Sequence, residues 1–279
     1  MHRLSVSEFS SYRWSFFQDI IKYANLGFDT VGLWRAKVAD YGFENAAELI
    51  DEMQISVSSL SWAGGFTGSE GIPHRDAIED AIEAVYQAHM VGADKLIVHA
   101  GARNGHTEKH ALRLLRQALN EITPIASNLE ITLLLEPVLS SKSPWSFVNS
   151  VETYADILAE YPDSELGLAL DLFHIGRKQE MLDQIPALID RIKLVQLSDG
   201  RFNGSEFTRC ELGTGIIPVE SWLDTLMHQG FEGDFEIELH GFDFEHADYA
   251  AVLNRSNNFF TEAAMAQVSK SAQTSKSTR

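Results

Sequence analysis

Four short apolar runs in the second half of the chain each end in a side chain that carries an oxygen atom. The runs are 133–136, 168–171, 193–196 and 235–238, and they end in Glu136, Asp171, Gln196 and Glu238. Their spacing is close to the roughly 30 residues that one strand-plus-helix unit of an eight-stranded barrel takes. Successive parallel strands would bring the four side chains to one mouth, where three carboxylates repel each other unless a cation neutralises them. The pattern therefore indicates a metal site at one end of a barrel.

Strand-like and helix-like stretches alternate along the whole chain, which is typical of a parallel α/β fold. The strand candidates are 3–6, 30–34, 56–62, 95–99, 132–136, 167–171, 193–197 and 235–239. The segments between them carry apolar residues at helical spacing, as at Ile78, Ile82 and Val85. No Gly-x-Gly-x-x-Gly follows the first strand, which disfavours an open dinucleotide-binding sheet. We predict an α/β fold of the (β/α)8 TIM barrel class, with a single domain over residues 1–266.

The composition is strongly acidic and nearly free of cysteine. Asp and Glu together number 40 of the 279 residues against 22 Lys and Arg, which gives a net charge of −18. A surface of this kind repels phosphate backbones, so we expect no nucleic-acid partner. Cys210 is the single cysteine, which rules out an intrachain disulfide and a cysteine-based zinc site.

The two ends of the sequence bear on location and order. The first residues lack the basic segment and apolar stretch of a signal peptide, and no run reaches the ~18 apolar residues of a membrane span. We therefore expect a cytoplasmic protein with no membrane partner. Residues 267–279 are rich in Ser, Lys and Thr, which predicts a disordered polar tail.

The four strand-end residues form an oxygen-only set of candidate metal ligands: Glu136, Asp171, Gln196 and Glu238. Such a set suits one Mn²⁺ or Mg²⁺ ion, because these ions prefer oxygen ligands. Co²⁺ and Zn²⁺ are alternatives, although Zn²⁺ usually takes nitrogen or sulfur ligands. For any one of them alone, a solvated polar residue at a strand end is the simpler interpretation. The four together favour a metal site, because each ends an apolar run at the same end of its strand.

Two residues near these ligands are candidates for substrate contact. His174 follows Asp171 by three positions, where it could donate a hydrogen bond to a substrate oxygen or orient a ligand. Arg201 follows the seventh strand, where it could bind a substrate hydroxyl or carboxylate. The alternatives are an exposed loop histidine and a surface ion pair. Arg201 lies in the long connection 199–217, which is placed to close over a substrate.

Aromatic side chains also fall at strand ends. His99 ends the fourth strand, and Trp34 and Trp62 end the second and third, where a sugar ring could stack on them. Packing at the barrel mouth is the alternative for each of these rings. Glu236 lies two residues before Glu238 and shares its face, so it points into the barrel and needs a proton or a partner, for which Lys95 is a candidate.

Several short motifs together resemble the sugar phosphate isomerase/epimerase family of xylose isomerase-like TIM barrels, over about residues 5–262. The motifs are Leu-Glu-Pro at 135–137, Asp-Leu-Phe-His at 171–174, Gln-Leu-Ser-Asp at 196–199, Gly-Thr-Gly at 213–215 and Ile-Glu at 237–238. The resemblance implies that Glu136 and Glu238 are both metal ligands and the acid/base pair. It also implies that Asp171 is a ligand only and that His174 and Arg201 contact substrate. The third ligand is commonly histidine in this family, whereas hydroxypyruvate isomerase-like members have glutamine, as at Gln196 here.

These features predict an isomerase or epimerase that acts on a sugar or sugar-derived keto acid and depends on a divalent metal. Proton transfer would pass through an enediolate that the metal stabilises. Three alternatives stay open at this point: a dehydratase or lyase of a keto-sugar or keto-cyclitol, a sugar-binding barrel without activity, and an endonuclease. The acidic charge and Gln196 disfavour the endonuclease. Barrels of this type often associate, so a homodimer or homotetramer is the expected assembly.

Overall fold

The eight apolar strands pair side by side in parallel, and the last strand closes on the first to form a barrel. The computed structural model describes residues 3–69, 71–139, 143–239 and 244–277. The barrel strands are β1 (Leu4–Ser7), β2 (Thr30–Trp34), β3 (Ser56–Gly64), β4 (Lys95–His99), β5 (Thr132–Leu135), β6 (Leu166–Asp171), β7 (Ile192–Leu197) and β10 (Asp234–Ile237). Each predicted strand agrees with an observed one to within two residues at either end. The predicted (β/α)8 barrel is therefore confirmed.

Helices cover the outside of the barrel between the strands. They are α1 (Phe16–Asn25), α2 (Arg35–Tyr41), α3 (Phe43–Glu52), α4 (His74–Met90), α5 (Glu108–Asn128), α6 (Val151–Leu158), α7 (Leu172–Ile175), α8 (Gln179–Leu188), α9 (Val219–His228) and α10 (Tyr249–Ser277). Short polar residues start several of them. Ser150 accepts a hydrogen bond from the Thr153 amide at 3.2 Å, and Thr107 accepts one from His110 at 3.3 Å. These caps satisfy backbone donors that the first helical turn leaves open.

The connection 199–217 contains a β-hairpin, although its sequence was expected to form a long loop. The hairpin strands are β8 (Asp199–Asn203) and β9 (Glu206–Cys210), which pair antiparallel. Gly204 in the turn has a φ of 64°, a left-handed conformation that glycine adopts without strain. The two-residue turn is Gly204-Ser205, and a Gly-Ser pair between two strands is a hairpin signal, so the sequence did contain the information that predicts this element.

The inside of the barrel is filled in layers by side chains that lie two residues apart along each strand. Ile97, Leu134, Ala169 and Leu194 form a small buried cluster separate from the main core. Leu134, Ala169 and Leu194 each lie two residues before a predicted ligand. Because alternate residues share a face, the predicted ligands also point into the barrel axis, at the end where the strands finish. We call that end the mouth, and the end where the strands begin the base.

The final helix, α10, extends from Tyr249 to Ser277, so it enters the segment for which composition predicts a disordered tail. That prediction stays a prediction, and Thr278 and Arg279 lie outside the described residues. Within the described part of the chain, none of the helices has the length and apolar content to cross a membrane.

Candidate active site

The barrel places all four predicted ligands at its mouth. Glu136 directly follows β5, Asp171 ends β6, Gln196 is the last residue but one of β7, and Glu238 directly follows β10. All four are buried. Three of them line a cavity of about 110 Å³. The lining residues are Phe9, Ser61, Trp62, His99, Glu136, Trp145, His174, Gln196, Arg209 and Glu238. Asp171 does not line the cavity itself but binds Arg209, which does.

Arg209 is a buried cation in this group, and the sequence analysis did not identify it. Its Nη2 atom lies 2.7 Å from Asp171 Oδ2 and 3.9 Å from Glu238 Oε1. Its guanidinium carbon lies 4.3 Å from the ring centre of Phe173. Burial alone would raise the pKa of Asp171, but Arg209 and His174 outweigh it and hold that pKa below its usual value. Asp171 is therefore ionised, and it anchors the arginine.

The hairpin places Arg209 at the mouth because hydrogen bonds to Asp199 hold the two ends of the hairpin connection. Asp199 is buried and accepts hydrogen bonds from the amides of Gly200, Gly215 and Ile217, at 2.7, 2.8 and 3.0 Å. A Cβ atom on Gly215 would lie only 2.2 Å from Asp199 Oδ1, so this contact requires glycine. The Gly-Thr-Gly motif thus holds together the end of the hairpin that lies opposite its turn. From the turn, β9 returns to the barrel and brings Arg209 to the mouth.

The two glutamates at the cavity have strongly perturbed acidity. Glu136 and Glu238 are 7% and 8% exposed. Burial, followed by repulsion from Asp171, raises the pKa of Glu238 to about 8. The same two causes, with further repulsion from Glu238, raise the pKa of Glu136 well above its usual value. A carboxyl group whose pKa is raised holds a proton more readily, which suits it to both removing and returning protons.

The polar atoms of the mouth fit a divalent cation. Ligand atoms of Glu136, Asp171 and His174 all lie within 4.8 Å of one another. Gln196 donates its amide hydrogen to Glu238 at 2.6 Å, while its buried Oε1 atom has no hydrogen-bond partner in the described chain. A buried oxygen without a partner is costly unless something binds it. The group differs from the predicted ligand set, because it includes His174 and does not include Glu238.

One wall of the cavity is aromatic. The rings of Trp62, Trp145 and His99 meet pairwise with centroids 5.3 to 5.7 Å apart. His99 Nε2 lies 3.5 Å from Glu136 Oε2. Burial, with repulsion from His174, lowers the pKa of His99 to about 3, so this ring is neutral at physiological pH. The predicted positions of Trp62, His99 and His174 at the mouth therefore agree with the structure, although their contact with substrate stays a prediction.

Trp34 and Arg201 lie farther from the cavity. Trp34 packs behind Phe9, with ring centroids 5.0 Å apart, and is not among the lining residues. Arg201 is exposed on β8 opposite Thr208. The hairpin explains the position of Arg201, since it carries the residues after Asp199 outward before β9 returns to the mouth. Direct contact of either residue with substrate remains a prediction.

Glu236 is buried inside the barrel, and Lys95 is not its partner as the sequence suggested. Lys95 lies at the base and pairs with Asp94 and Asp234 at 2.7 and 2.9 Å. Glu236 instead accepts a hydrogen bond from Ser58 at 2.8 Å, and burial raises its pKa to about 7. Lys95 instead binds Asp234, which lies two residues before Glu236 on β10.

Comparisons with known proteins agree with this architecture. A solved structure described as L-ribulose 3-epimerase superposes with a TM-score of 0.80 at 18% identity, covering 99% of this chain and 98% of that one. A structure described as the IolI protein with a zinc atom gives a TM-score of 0.78 at 19% identity, covering 94% and 97%. At these identities the likeness shows the fold alone.

A curated relative and a family model complete the comparison. The relative, named probable endonuclease 4 from Sulfurihydrogenibium sp. (strain YO3AOP1), is 23% identical over 165 residues. The match covers 53% of this chain and only 58% of that protein. The family model described as xylose isomerase-like TIM barrel matches residues 20–259, which is most of the chain. The chain therefore belongs to the xylose isomerase-like TIM barrel family.

Proposed function

We propose that the protein is a metal-dependent isomerase or epimerase of a sugar-like substrate that has a carbonyl beside a hydroxyl group. The observation that carries the proposal is the pair Glu136 and Glu238. Both are buried, both line one cavity of about 110 Å³, and both have raised pKa values. A site that only binds a sugar has no need of two such carboxyl groups.

The two glutamates would act as the acid/base pair. One carboxylate removes the proton from the carbon beside the carbonyl, and the other carboxyl group returns a proton. Return to the same carbon from the opposite face inverts it, whereas return to the neighbouring carbon exchanges aldose and ketose. Each well-placed acid or base typically accelerates such a step by about 10²–10⁴-fold.

We expect four residues to hold the cation, with Glu238 as a further candidate. They are Glu136, Asp171, His174 and Gln196, whose Oε1 atom has no hydrogen-bond partner among the described residues. A bound divalent ion supplies Lewis acidity, which makes the carbon beside a carbonyl more acidic. Mn²⁺ and Mg²⁺ suit the oxygen atoms of this set, and the His174 nitrogen also suits Co²⁺ or Zn²⁺.

The named relatives are compatible with this proposal. One structural neighbour is described as an epimerase and another as binding zinc. The curated relative is named as an endonuclease. A nuclease must attract a phosphate backbone, which a net charge of −18 opposes, and a cavity of about 110 Å³ suits a small molecule. We therefore favour a small carbonyl compound over DNA as the substrate.

Solvent deuterium uptake tests the proposal. The protein would be loaded with Mn²⁺, Mg²⁺, Co²⁺ or Zn²⁺ and incubated in D₂O with a panel of ketopentoses, ketohexoses and hydroxypyruvate. We expect deuterium at a carbon next to the carbonyl of at least one compound. Glu136→Gln and Glu238→Gln should each lower the rate by about 10²–10⁴-fold, because the amide cannot transfer a proton.

Glu232→Gln is the matched control, since Glu232 is exposed and lies at the base of the barrel. This variant should exchange at the wild-type rate. Absorbance of an enone product together with loss of water would favour a dehydratase. Tight binding of a sugar with no exchange in any metal would refute catalysis and favour a sugar-binding barrel.

A further inference from the structure

The turn that follows β1 is bonded to the backbone on both sides of Glu238. This turn is a short 3-10 helix, Glu8–Ser11. The Leu239 amide donates a hydrogen bond to the Ser10 hydroxyl oxygen at 2.8 Å, and that hydroxyl donates to the Ile237 carbonyl at 3.1 Å. One serine side chain therefore holds the residue before Glu238 and the residue after it.

This contact matters because regular sheet pairing ends just before Glu238. The last residue of β10 is Ile237, which is paired with Val6 of β1. On the β7 side, the Glu238 carbonyl still accepts a hydrogen bond from Ser198 at 2.6 Å. On the β1 side, Ser10 takes the place of the sheet. The β1 turn therefore holds one side of the segment that carries Glu238, and β7 holds the other.

A buried lysine fixes the β1 turn from behind. Lys37 on α2 is 8% exposed, and its Nζ donates to the carbonyls of Glu8 and Ser11 at 3.1 and 2.9 Å. Its third hydrogen bond goes to Asp19 Oδ2 at 2.6 Å, and Asp19 is fully buried. The Ser11 hydroxyl donates to Asp19 Oδ1 at 2.5 Å. The first and last residues of the turn are thus both held by one ion pair.

We propose that Lys37, paired with Asp19, is a positioning residue for Glu238 and acts through the β1 turn. The chain of contacts runs from the lysine to the turn carbonyls, and from Ser10 to the backbone around Glu238. The same turn carries Phe9, which lines the cavity. Lys37 touches neither the cavity nor the proposed metal ligands, so its effect on proton transfer would be indirect. The inference rests on the proposed role of Glu238.

Two variants test the proposal at different links of this chain. Ser10→Ala removes the hydroxyl alone. The paired change Lys37→Met with Asp19→Asn removes both charges of the ion pair together, because removing one alone would leave the other buried without its partner. In both variants we expect the Leu239 amide to exchange with solvent deuterium about tenfold faster, because its acceptor is lost or displaced; tenfold corresponds to about 1.4 kcal/mol.

The same variants should change turnover more than substrate affinity. With Mn²⁺ and a substrate that the wild type exchanges, we expect kcat for proton transfer to fall by about 10- to 100-fold while KM changes little, since small displacements of a reacting group cost rate. If the paired variant does not fold, Lys37→Gln with Asp19→Asn also removes both charges but keeps an amide that can donate to a turn carbonyl. It should give a smaller change of both quantities in the same direction.

The barrel offers a closely matched control at its other end. Lys95 and Asp234 form a buried ion pair with side chains 9% and 7% exposed, and Asp234 lies on the same strand that leads to Glu238. Lys95→Met with Asp234→Asn should lower stability but leave Leu239 exchange and kcat at wild-type values. Equal acceleration of Leu239 exchange in both paired variants would mean that global stability governs it, and would overturn the proposal.

The amide measurement keeps this inference separate from the proposed function. If the wild type exchanges no proton on any substrate, the proposed function fails, and the Leu239 comparison still decides whether Lys37 holds this segment. If Leu239 is accelerated but kcat of an active enzyme is unchanged, Lys37 has a structural role only and the positioning proposal is wrong.

Discussion

The base and the mouth of the barrel both contain buried charges, but their charges are balanced differently. At the base, Asp234 lies between two cations, 2.6 Å from Arg3 and 2.9 Å from Lys95. At the mouth, the carboxyl groups of Glu136, Asp171 and Glu238 are near one cationic side chain, Arg209. The base has a cavity of about 690 Å³ and the mouth one of about 110 Å³. Cavity size therefore does not distinguish the chemical site, whereas unbalanced buried charge does.

Strand β10 shows the difference along a single segment. Burial raises the pKa of Asp234, but its partners Arg3 and Lys95 lower it by more. The pKa of Asp234 is therefore below its usual value. Burial raises the pKa of Glu236, which has serine partners, to about 7, and that of Glu238 to about 8. Burial is common to all three residues. The two cationic partners of Asp234, and not its burial, therefore separate its acidity from that of the two glutamates.

The largest difference between the two ends should appear when each loses a cation. Arg209→Met leaves Asp171 buried without its charged partner, which should lower the free energy of unfolding by about 3–5 kcal/mol. Lys95→Met should cost less, about 1–3 kcal/mol, because Asp234 keeps its two contacts to Arg3 at 2.6 Å. Urea denaturation of the metal-free protein measures both values. Equal losses would show that charge balance does not separate the two ends.

The pH dependence of stability should also differ between the ends. The pKa of Glu238 is about 8 in the folded state against an ordinary value of 4.5, so between these values the folded state holds a proton that the unfolded state lacks. Its contribution therefore makes stability fall as pH rises through this window, on the order of 3 kcal/mol between pH 5 and 8. Asp234 has a lowered pKa, so its contribution is lost only as pH falls below its usual value of 3.8.

Urea denaturation at pH 5 to 8 in the presence of a chelator checks this prediction. Glu238→Gln should flatten part of the slope, and the raised pKa values of Glu136 and Glu236 should contribute to the slope that remains. Asp234→Asn should reduce stability by a similar amount at each pH in this range. A wild-type stability that rises with pH would contradict the raised pKa values at the mouth.

Glu236 lies between the two ends of the barrel, and its carboxyl group occupies the space that a side chain at Gly32 would fill. A Cβ atom on Gly32 of β2 would lie 2.1 Å from Glu236 Oε2. Gly32→Ala should therefore lower the free energy of unfolding by about 1–3 kcal/mol through overpacking. Adding Glu236→Ala removes the group that the methyl meets, so the double variant should cost less than the sum of the single ones. Additive losses in thermal or urea unfolding would refute this contact.

Local sequence patterns predicted the barrel and the positions of its strand-end carboxylates. Apolar runs predict the strands, and the two-residue repeat of a strand predicts which side chains point into the barrel. The position of four residues at the mouth therefore follows from local sequence alone: Glu136, Asp171, Gln196 and Glu238. The single domain and the roles of these residues remain predictions. The family expected from the motifs is confirmed by the match over residues 20–259.

The remaining features depend on contacts between residues far apart in sequence. Arg209 reaches Asp171 because β8 and β9 form a hairpin, whereas the sequence pattern predicts a long loop for this segment. Lys37 binds the turn after β1 only because α2 packs beside it. The sequence around Arg209 and around Lys37 contains no pattern that identifies the residues to which they bind. Recognising Gly204-Ser205 as a turn would have located the hairpin, but not the aspartate to which Arg209 binds.

The smallest expected effect concerns the two arginines of this hairpin. Arg201 is exposed and outside the cavity lining, so Arg201→Ala should change the free energy of unfolding by no more than about 0.5 kcal/mol and leave the rate of deuterium uptake near the wild-type value. Arg209→Lys should lower that rate, because an ammonium cannot reproduce its contacts to Asp171 and to the Phe173 ring. A loss of activity in Arg201→Ala alone would restore the expectation drawn from the family, and would require the hairpin to bring Arg201 to the mouth when substrate binds.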